Sequence, residues 1–291
     1  MNQRPTTFSI RDLENLSGIK AHTIRIWEKR YNILAPERTT TNIRLYNLEN
    51  LQKLLNVTFL YNSGFKISKI CKLTNNEIKQ AIQELTEKKG DKDHFIDELK
   101  LSMFSYDQFK FEQTYSRILS EMSFREAFSD VFIPLLEFVG VQWLSDNITT
   151  SHEHFVTSLI LQKLMINIER VQSVRPDKRK VYVLFLPDNE IHELGLMYVN
   201  YELSRSGYQT IYLGPSVPIE SLESIISCYS SISFVSYFTV YPTKSEVNAY
   251  LAEIDNKILY NYNLSLSILG RNAQDVSFKS DRIKVFSKVD D

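Results

Sequence analysis

The chain has 291 residues, 43% hydrophobic and 24% charged, enough for two or three domains that each bury a core. Its start, Met1-Asn-Gln-Arg-Pro5, lacks the apolar run of a secretory signal, and no stretch of about 18 apolar residues occurs, so a cytoplasmic globular protein is expected. Cys71 and Cys228 are far apart without Cys-x-x-Cys spacing, which argues against a disulfide framework, a zinc site or a thiolate metal sensor. The formal net charge of −1 hides a split: residues 1–75 hold 12 Lys/Arg against 5 Asp/Glu, and the remainder 22 against 30. A basic head on an acidic body suits contact with a polyanion.

Ser9 and Asp12 cap a short helix whose Ile10, Leu13 and Leu16 share one face, and Gly18 turns the chain into a second helix from about Lys20 to Arg30. This is a helix-turn-helix outline. Ile24 and Trp27 face its core, whereas Thr23, Arg25, Lys29 and Arg30 can meet phosphates or base edges in a major groove, a surface that Tyr31 extends. Pro36 ends the helical stretch, and Arg38 to Tyr46, with Asn42 near the turn, reads as a hairpin with basic flanks.

The series Thr23-Ile-Arg25-Ile-Trp27-Glu-Lys29-Arg30-Tyr31, then Pro36, Arg38 and Arg44-Leu-Tyr46, is similar to the MerR family of transcription regulators across residues 7 to about 72. The resemblance implies an operator-binding homodimer or homotetramer, with the second helix in the major groove of double-stranded operator DNA and the wing on its backbone. The implied DNA contacts are Thr23, Arg25, Lys29, Arg30, Tyr31, Arg38, Arg44 and Tyr46.

Residues 76–93 read as a connecting helix ending near Gly90, with a hinge at Asp91-Lys-Asp93. From His94 to Val174 helical periodicity dominates: Phe95, Leu99 and Phe104; Phe109, Tyr115 and Ile118; Phe128, Phe132, Leu135 and Val139; Phe155, Leu159 and Leu164. Four such helices make a small bundle over 94–174. Before the last helix stands Trp143, followed after nine residues by Glu153-His154. An indole is a flat apolar lid, and a carboxylate beside an imidazole can bond hydroxyls and ring nitrogens. This Trp-x9-Glu-His spacing is similar to that of bundles covering the upper face of adenosylcobalamin in CarH-type light-responsive repressors. Some of those relatives place a histidine directly after the tryptophan; here Leu144 holds that position, and His152 is the substitute.

Beyond the basic linker Arg175–Lys180, strands and helices alternate: strands Val181–Leu186, Tyr208–Leu213, Ile232–Phe238, Leu264–Leu269 and Ile283–Phe286, and helices Leu194–Ser206, Ile219–Cys228 and Lys244–Ile258. This predicts a parallel sheet with helices on both faces over 179–291. The absence of Gly-x-Gly-x-x-Gly disfavours a dinucleotide cofactor. Glu190-Ile-His192-Glu-Leu-Gly195 follows the first strand, at the end where α/β folds bind ligands. An imidazole there can reach a metal while its other nitrogen is held by an acceptor, and the glycine allows close approach of something flat.

The Glu-x-His-x-x-Gly spelling resembles the lower-ligand motif of cobalamin-binding domains. It implies His192 as the ligand of the cobalt, Glu190 as its orienting acceptor, and Gly195, Gly214, Ser236 and Gly270 as further cofactor-binding positions. In this pattern Ser236 bonds the displaced dimethylbenzimidazole base, and Arg271, where the family has a second glycine, either pairs with the nucleotide phosphate or fills the channel.

The expected fold class is thus α+β multidomain: an N-terminal winged helix-turn-helix, a four-helix bundle and a C-terminal Rossmann-like parallel-sheet domain. The expected function is a DNA-binding repressor, with no enzymatic activity, that uses adenosylcobalamin held between bundle and sheet domain as a light sensor controlling oligomerisation and operator binding. Alternatives are a cobalamin-independent regulator of the same architecture controlled by a protein partner, a corrinoid methyltransferase-like protein, and a constitutive DNA-binding protein.

Overall fold

The computed structural model describes residues 7–78, 80–82, 92–144, 148–172, 180–274 and 276–289. The chain forms two compact units, Met1–Ile160 and Leu161–Asp291. Of the expected hinge over residues 91–93, residue 91 lies outside the described residues, as do most of the linker 175–180 and the side chain of Leu144, whereas Lys92 and Asp93 are helical and open the helix Lys92–Ser105.

In the first unit α1 (Ile10–Ser17) opens with a capping box. Ser9 Oγ accepts from the Asp12 N–H at 3.3 Å, and Asp12 Oδ2 accepts from the Ser9 N–H at 2.6 Å, which satisfies donors that a first turn leaves orphaned. Gly18 ends the helix at φ +73°, a left-handed conformation that favours glycine, and α2 (Ala21–Tyr31) follows. Leu13, Leu16, Ile24 and Trp27 are buried, as their spacing requires. β1 (Glu37–Arg38) and β2 (Arg44–Leu45) pair antiparallel to form the wing, with Asn42 at positive φ in its turn. α3 (Leu48–Asn62) closes this head with Leu51, Leu54 and Leu60.

The bundle consists of α4 (Lys92–Ser105), α5 (Gln108–Glu121), a third helix in two parts and α8 (Thr150–Gln172). The third begins as α6 (Phe124–Ala127), passes through a π-helical turn at Phe128–Phe132 and continues as α7 (Ile133–Leu144). Phe95, Phe104, Phe111, Phe128 and Phe132 fill the interior. Phe109 is exposed instead of buried, and Phe111, two residues on and so on another face of α5, takes the core position. Among the described residues no helix is long and apolar enough to cross a membrane.

The second unit holds the parallel sheet: β3 (Val181–Pro187), β4 (Gln209–Val217), β5 (Ile232–Tyr237), β6 (Ser265–Leu269) and β7 (Ile283–Val285), in the order β4-β3-β5-β6-β7. Alternate residues feed two cores, the signature of a sheet covered on both faces. Leu184, Leu186, Val235 and Leu269 pack under α9 (Leu194–Arg205), whereas Val183, Phe185, Phe234 and Ile268 pack with α10 (Val247–Ile254). From β3 the chain first crosses to β4 on one side and later returns to β5 on the other. The crevice outside the carboxyl ends of β3 and β5 is therefore the topological switch point, where open α/β sheets bind ligands.

Candidate functional site

On the DNA-binding head, Arg25, Lys29 and Arg30 are exposed on α2, and Thr23 and Tyr31 are half-buried beside them. At the wing, exposed Arg38 donates from Nη1 to Asn42 Oδ1 at 2.8 Å. Two of the expected contacts behave differently. Tyr46 is fully buried, and its hydroxyl donates to Glu28 Oε2 at 3.1 Å, so it supports the surface from beneath and touches no phosphate. Burial and the Glu28 charge push its phenol further up from its ordinary range. Arg44 is half-buried and donates from Nε to Glu28 Oε1 at 3.1 Å, which commits part of its guanidinium to the protein.

In the bundle, Trp143 ends α7 with about half its surface exposed (48%), close in sequence to exposed Val141. At the start of α8, Glu153 Oε2 lies 3.2 Å from Nε2 of the exposed His154. These groups are available to a ligand. His152 is not: its ring stacks on Tyr106 with centroids 4.7 Å apart, and the Thr149 N–H donates to Nδ1 at 3.3 Å. That bond places the ring proton on Nε2, which is buried without a partner. Neither nitrogen faces outward, so the structure removes His152 as a substitute upper ligand, and burial holds its pKa below the ordinary value.

At the switch point Glu190 is fully buried and saturated with donors. Oε1 accepts from the amides of Ile191 and His192, both at 2.9 Å, and lies 2.6 Å from His192 Nδ1. Oε2 accepts from the amides of Thr239 at 3.2 Å, Val240 at 2.6 Å and Tyr241 at 2.8 Å. Burial pushes this carboxyl up, but the amide and imidazole donors outweigh it and hold its pKa below the ordinary value. Nδ1 donates to this ionised acceptor, which in the neutral ring puts the lone pair on Nε2; the ring is half exposed.

The supporting loop is itself braced. Asn272, nearly buried, donates from Nδ2 to the carbonyls of Val240 and Pro242, both at 3.0 Å, and its own N–H donates to Phe238 O at 3.0 Å. Among the described residues no group of three or more His, Cys, Asp or Glu could hold a free metal ion. One imidazole suffices where a macrocycle brings the metal's other ligands.

The remaining expected positions diverge from a ligand-lined channel. Ser236 is buried and donates to Phe185 O at 2.8 Å, so its proton serves the sheet and not a displaced base. Gly270 has φ +99°, and a Cβ there would lie 2.5 Å from the Phe238 carbonyl oxygen, so the close passage of the main chain accounts for this glycine. Gly214 has φ +87°, and a Cβ there would make only an ordinary contact with Tyr212 Cε1 at 3.8 Å; its backbone conformation is what requires glycine. Gly195 faces the ring of Tyr237, with the Cβ position only 2.6 Å from Cζ. Arg271 is exposed and fills no channel.

Residues 8–77 match the MerR HTH family regulatory protein profile, and residues 95–166 match the B12 binding domain. The chain thus joins a MerR-type helix-turn-helix head to a region of the B12-binding type. It is 27% identical over 222 residues to the HTH-type transcriptional repressor CarH of Myxococcus xanthus, covering 74% of this chain and 73% of the relative. It is 24% identical over 220 residues to the HTH-type transcriptional repressor CarA of the same organism, covering 75% and 71%. In fold it is similar to the Methanosarcina barkeri monomethylamine corrinoid protein, at TM-score 0.56 and 10% identity, over 69% of this chain and 95% of that one.

Three parts of the chain were not legible in the sequence: Glu28 as the clamp of the wing, the Thr239–Tyr241 amides behind Glu190, and Asn272 behind those amides. Glu28 falls inside the motif string and carried a signal, since it is the one acid among cations on α2. Backbone amides carry none.

Proposed function

We propose that this regulator is a transcriptional repressor that uses adenosylcobalamin as a light sensor, with His192 as the lower ligand of cobalt. The observation that carries this is the Glu190–His192 pair, Nδ1 to Oε1 at 2.6 Å, at the sheet's switch point. Likeness to the repressors CarH and CarA supports the regulatory half. His192 would hold the metal through Nε2, and Glu190 keeps the ring in one tautomer and one orientation. Trp143 would cover the opposite face of the macrocycle, with Glu153 and His154 bonding the adenosyl group. When bound, the corrinoid supplies a cobalt–carbon bond that light breaks.

In this reading 1–75 bind the operator, 76–93 connect, 94–174 cover the cobalamin and 179–291 carry its lower ligand. Exposed Arg25, Lys29, Arg30 and Arg38 supply phosphate contacts that add over the heads of a homodimer or homotetramer. A change of the bundle on loss of the adenosyl group then alters subunit assembly and releases DNA.

The test is purified chain mixed with adenosylcobalamin in the dark. A co-eluting corrinoid spectrum, a larger assembly and tighter operator binding are expected, all lost after green light. Absence of a co-eluting spectrum sinks the sensor reading. A second reading, a cobalamin-independent regulator under a protein partner, is favoured by the filled spaces at Gly195 and Gly270. Equal operator affinity in dark, light, loaded and unloaded samples would support it.

A further inference from the structure

The space left by the missing side chain of Gly195 is filled. A Cβ there would lie 2.6, 2.7 and 2.9 Å from Cζ, Cε1 and Cε2 of Tyr237, closer than real Cβ atoms come. The far half of a phenol ring thus rests on the first turn of α9, three residues after His192. Tyr237 ends β5, and its ring packs beside Leu184, Leu186, Leu196, Val199 and Leu269, on the face of the sheet opposite Phe238.

If His192 holds the metal of a base-bearing corrinoid, it would take the place of that corrinoid's own lower base. That base is flat and largely apolar, and it stays tethered near the ring. The place above Gly195 already takes one flat, largely apolar ring, that of Tyr237. The two glycines on this side differ in what confronts them. Gly270 meets the Phe238 main chain, which is fixed by its bonds to Leu269 and Asn272, whereas Gly195 meets the free end of a rotatable side chain.

We infer that Tyr237 is an internal stand-in for the displaced lower base, occupying the flat slot over Gly195 and having to swing out before a base-bearing corrinoid can seat. Resting on the corrinoid reading proposed above, this makes Tyr237 a specificity-determining residue. Base-bearing corrinoids must pull a ring out of an apolar cluster; a corrinoid without the base need not.

The full chain is titrated in the dark with adenosylcobalamin and with adenosylcobinamide, which keeps the macrocycle and adenosyl group but has no base. Wild type should bind adenosylcobinamide tighter by about tenfold or more. Tyr237→Ala should bring adenosylcobalamin up to the same affinity without moving adenosylcobinamide, and Tyr237→Phe, which keeps the ring, should behave as wild type. Tyr237→Leu, which keeps apolar bulk without a flat ring, replaces the alanine variant if that one loses its circular-dichroism signal.

No gain for adenosylcobalamin in a chain that binds adenosylcobinamide, or equal gains for both, overturns the inference and leaves the corrinoid reading standing. No binding of either corrinoid by any variant overturns both. The contact is also read without corrinoid. Gly195→Ala should lower the thermal midpoint in wild type and do so much less beside Tyr237→Ala; equal losses would show that the ring does not rest on this glycine.

Discussion

Glu28 holds Tyr46 at 3.1 Å across the junction between the recognition helix and the wing, in a place where the tyrosine is fully buried. The same carboxylate takes Arg44 on its other oxygen, so one side chain fixes both ends of β2 to α2. Glu28→Ala leaves a buried hydroxyl without an acceptor, at a cost of about 1–3 kcal/mol. A lower urea midpoint and weaker operator binding are expected together. An unchanged midpoint would show that the wing stands without this clamp.

Arg25 separates binding from folding. Its side chain is exposed on α2 and no intramolecular bond holds it among the described residues. Arg25→Ala should change stability by no more than about 0.5 kcal/mol. Operator affinity should fall, and the slope of log affinity against log salt should shrink by about 1 if the contact is to a phosphate. Binding isotherms at four salt concentrations read both; an unaltered affinity removes Arg25 from the interface.

His192 and Asn272 should fail in different ways. His192→Ala removes a half-exposed ring and should leave the unfolding midpoint nearly unmoved while abolishing corrinoid ligation. Asn272→Ala strips two carbonyls of their donor in a nearly buried place, and should cost about 1–3 kcal/mol and loosen the amides that hold Glu190. Calorimetry and the corrinoid absorption of each variant form the test. Stability loss in the histidine variant comparable to that of the asparagine variant would contradict the assigned roles.

His152 gives a pH dependence with a definite sign. Burial depresses its pKa in the folded chain below the ordinary value of 6.5. Below 6.5 the unfolded chain therefore binds a proton that the folded chain refuses, and stability falls as pH drops through that window toward the folded pKa. His152→Phe keeps a flat ring on Tyr106, removes the unpartnered Nε2, and should flatten this limb below pH 6.5. Parallel slopes for the two proteins would refute the assignment.

The architecture was legible because each element is spelled by a local rule. Ser9 with Asp12 announces a helix start, Val181 to Leu186 is a buried strand, and Arg38 to Arg44 brackets a turn. Within the motif, spacing could not tell a tyrosine that faces DNA from one that faces a carboxylate on the neighbouring helix, and Tyr46 is the second kind. The glycines illustrate the same limit. A missing side chain signals close approach without saying by what, and at Gly195 and Gly270 the visitor belongs to the chain itself. Glu190 was visible as a residue, but the donors that fix its charge are amides from a distant loop, which no side-chain pattern encodes.

The donors to Glu190 come from two segments that meet only when β3 and β5 lie side by side, Ile191 and His192 from one and Thr239 to Tyr241 from the other. A peptide containing the whole hexapeptide motif would have half of that cradle and an imidazole free to tumble. The orientation of this imidazole is in this sense a property of the finished sheet. By mass action, whatever coordinates His192 in the native arrangement alone also resists its unravelling, so the cofactor would double as a fastener of the domain that reads it.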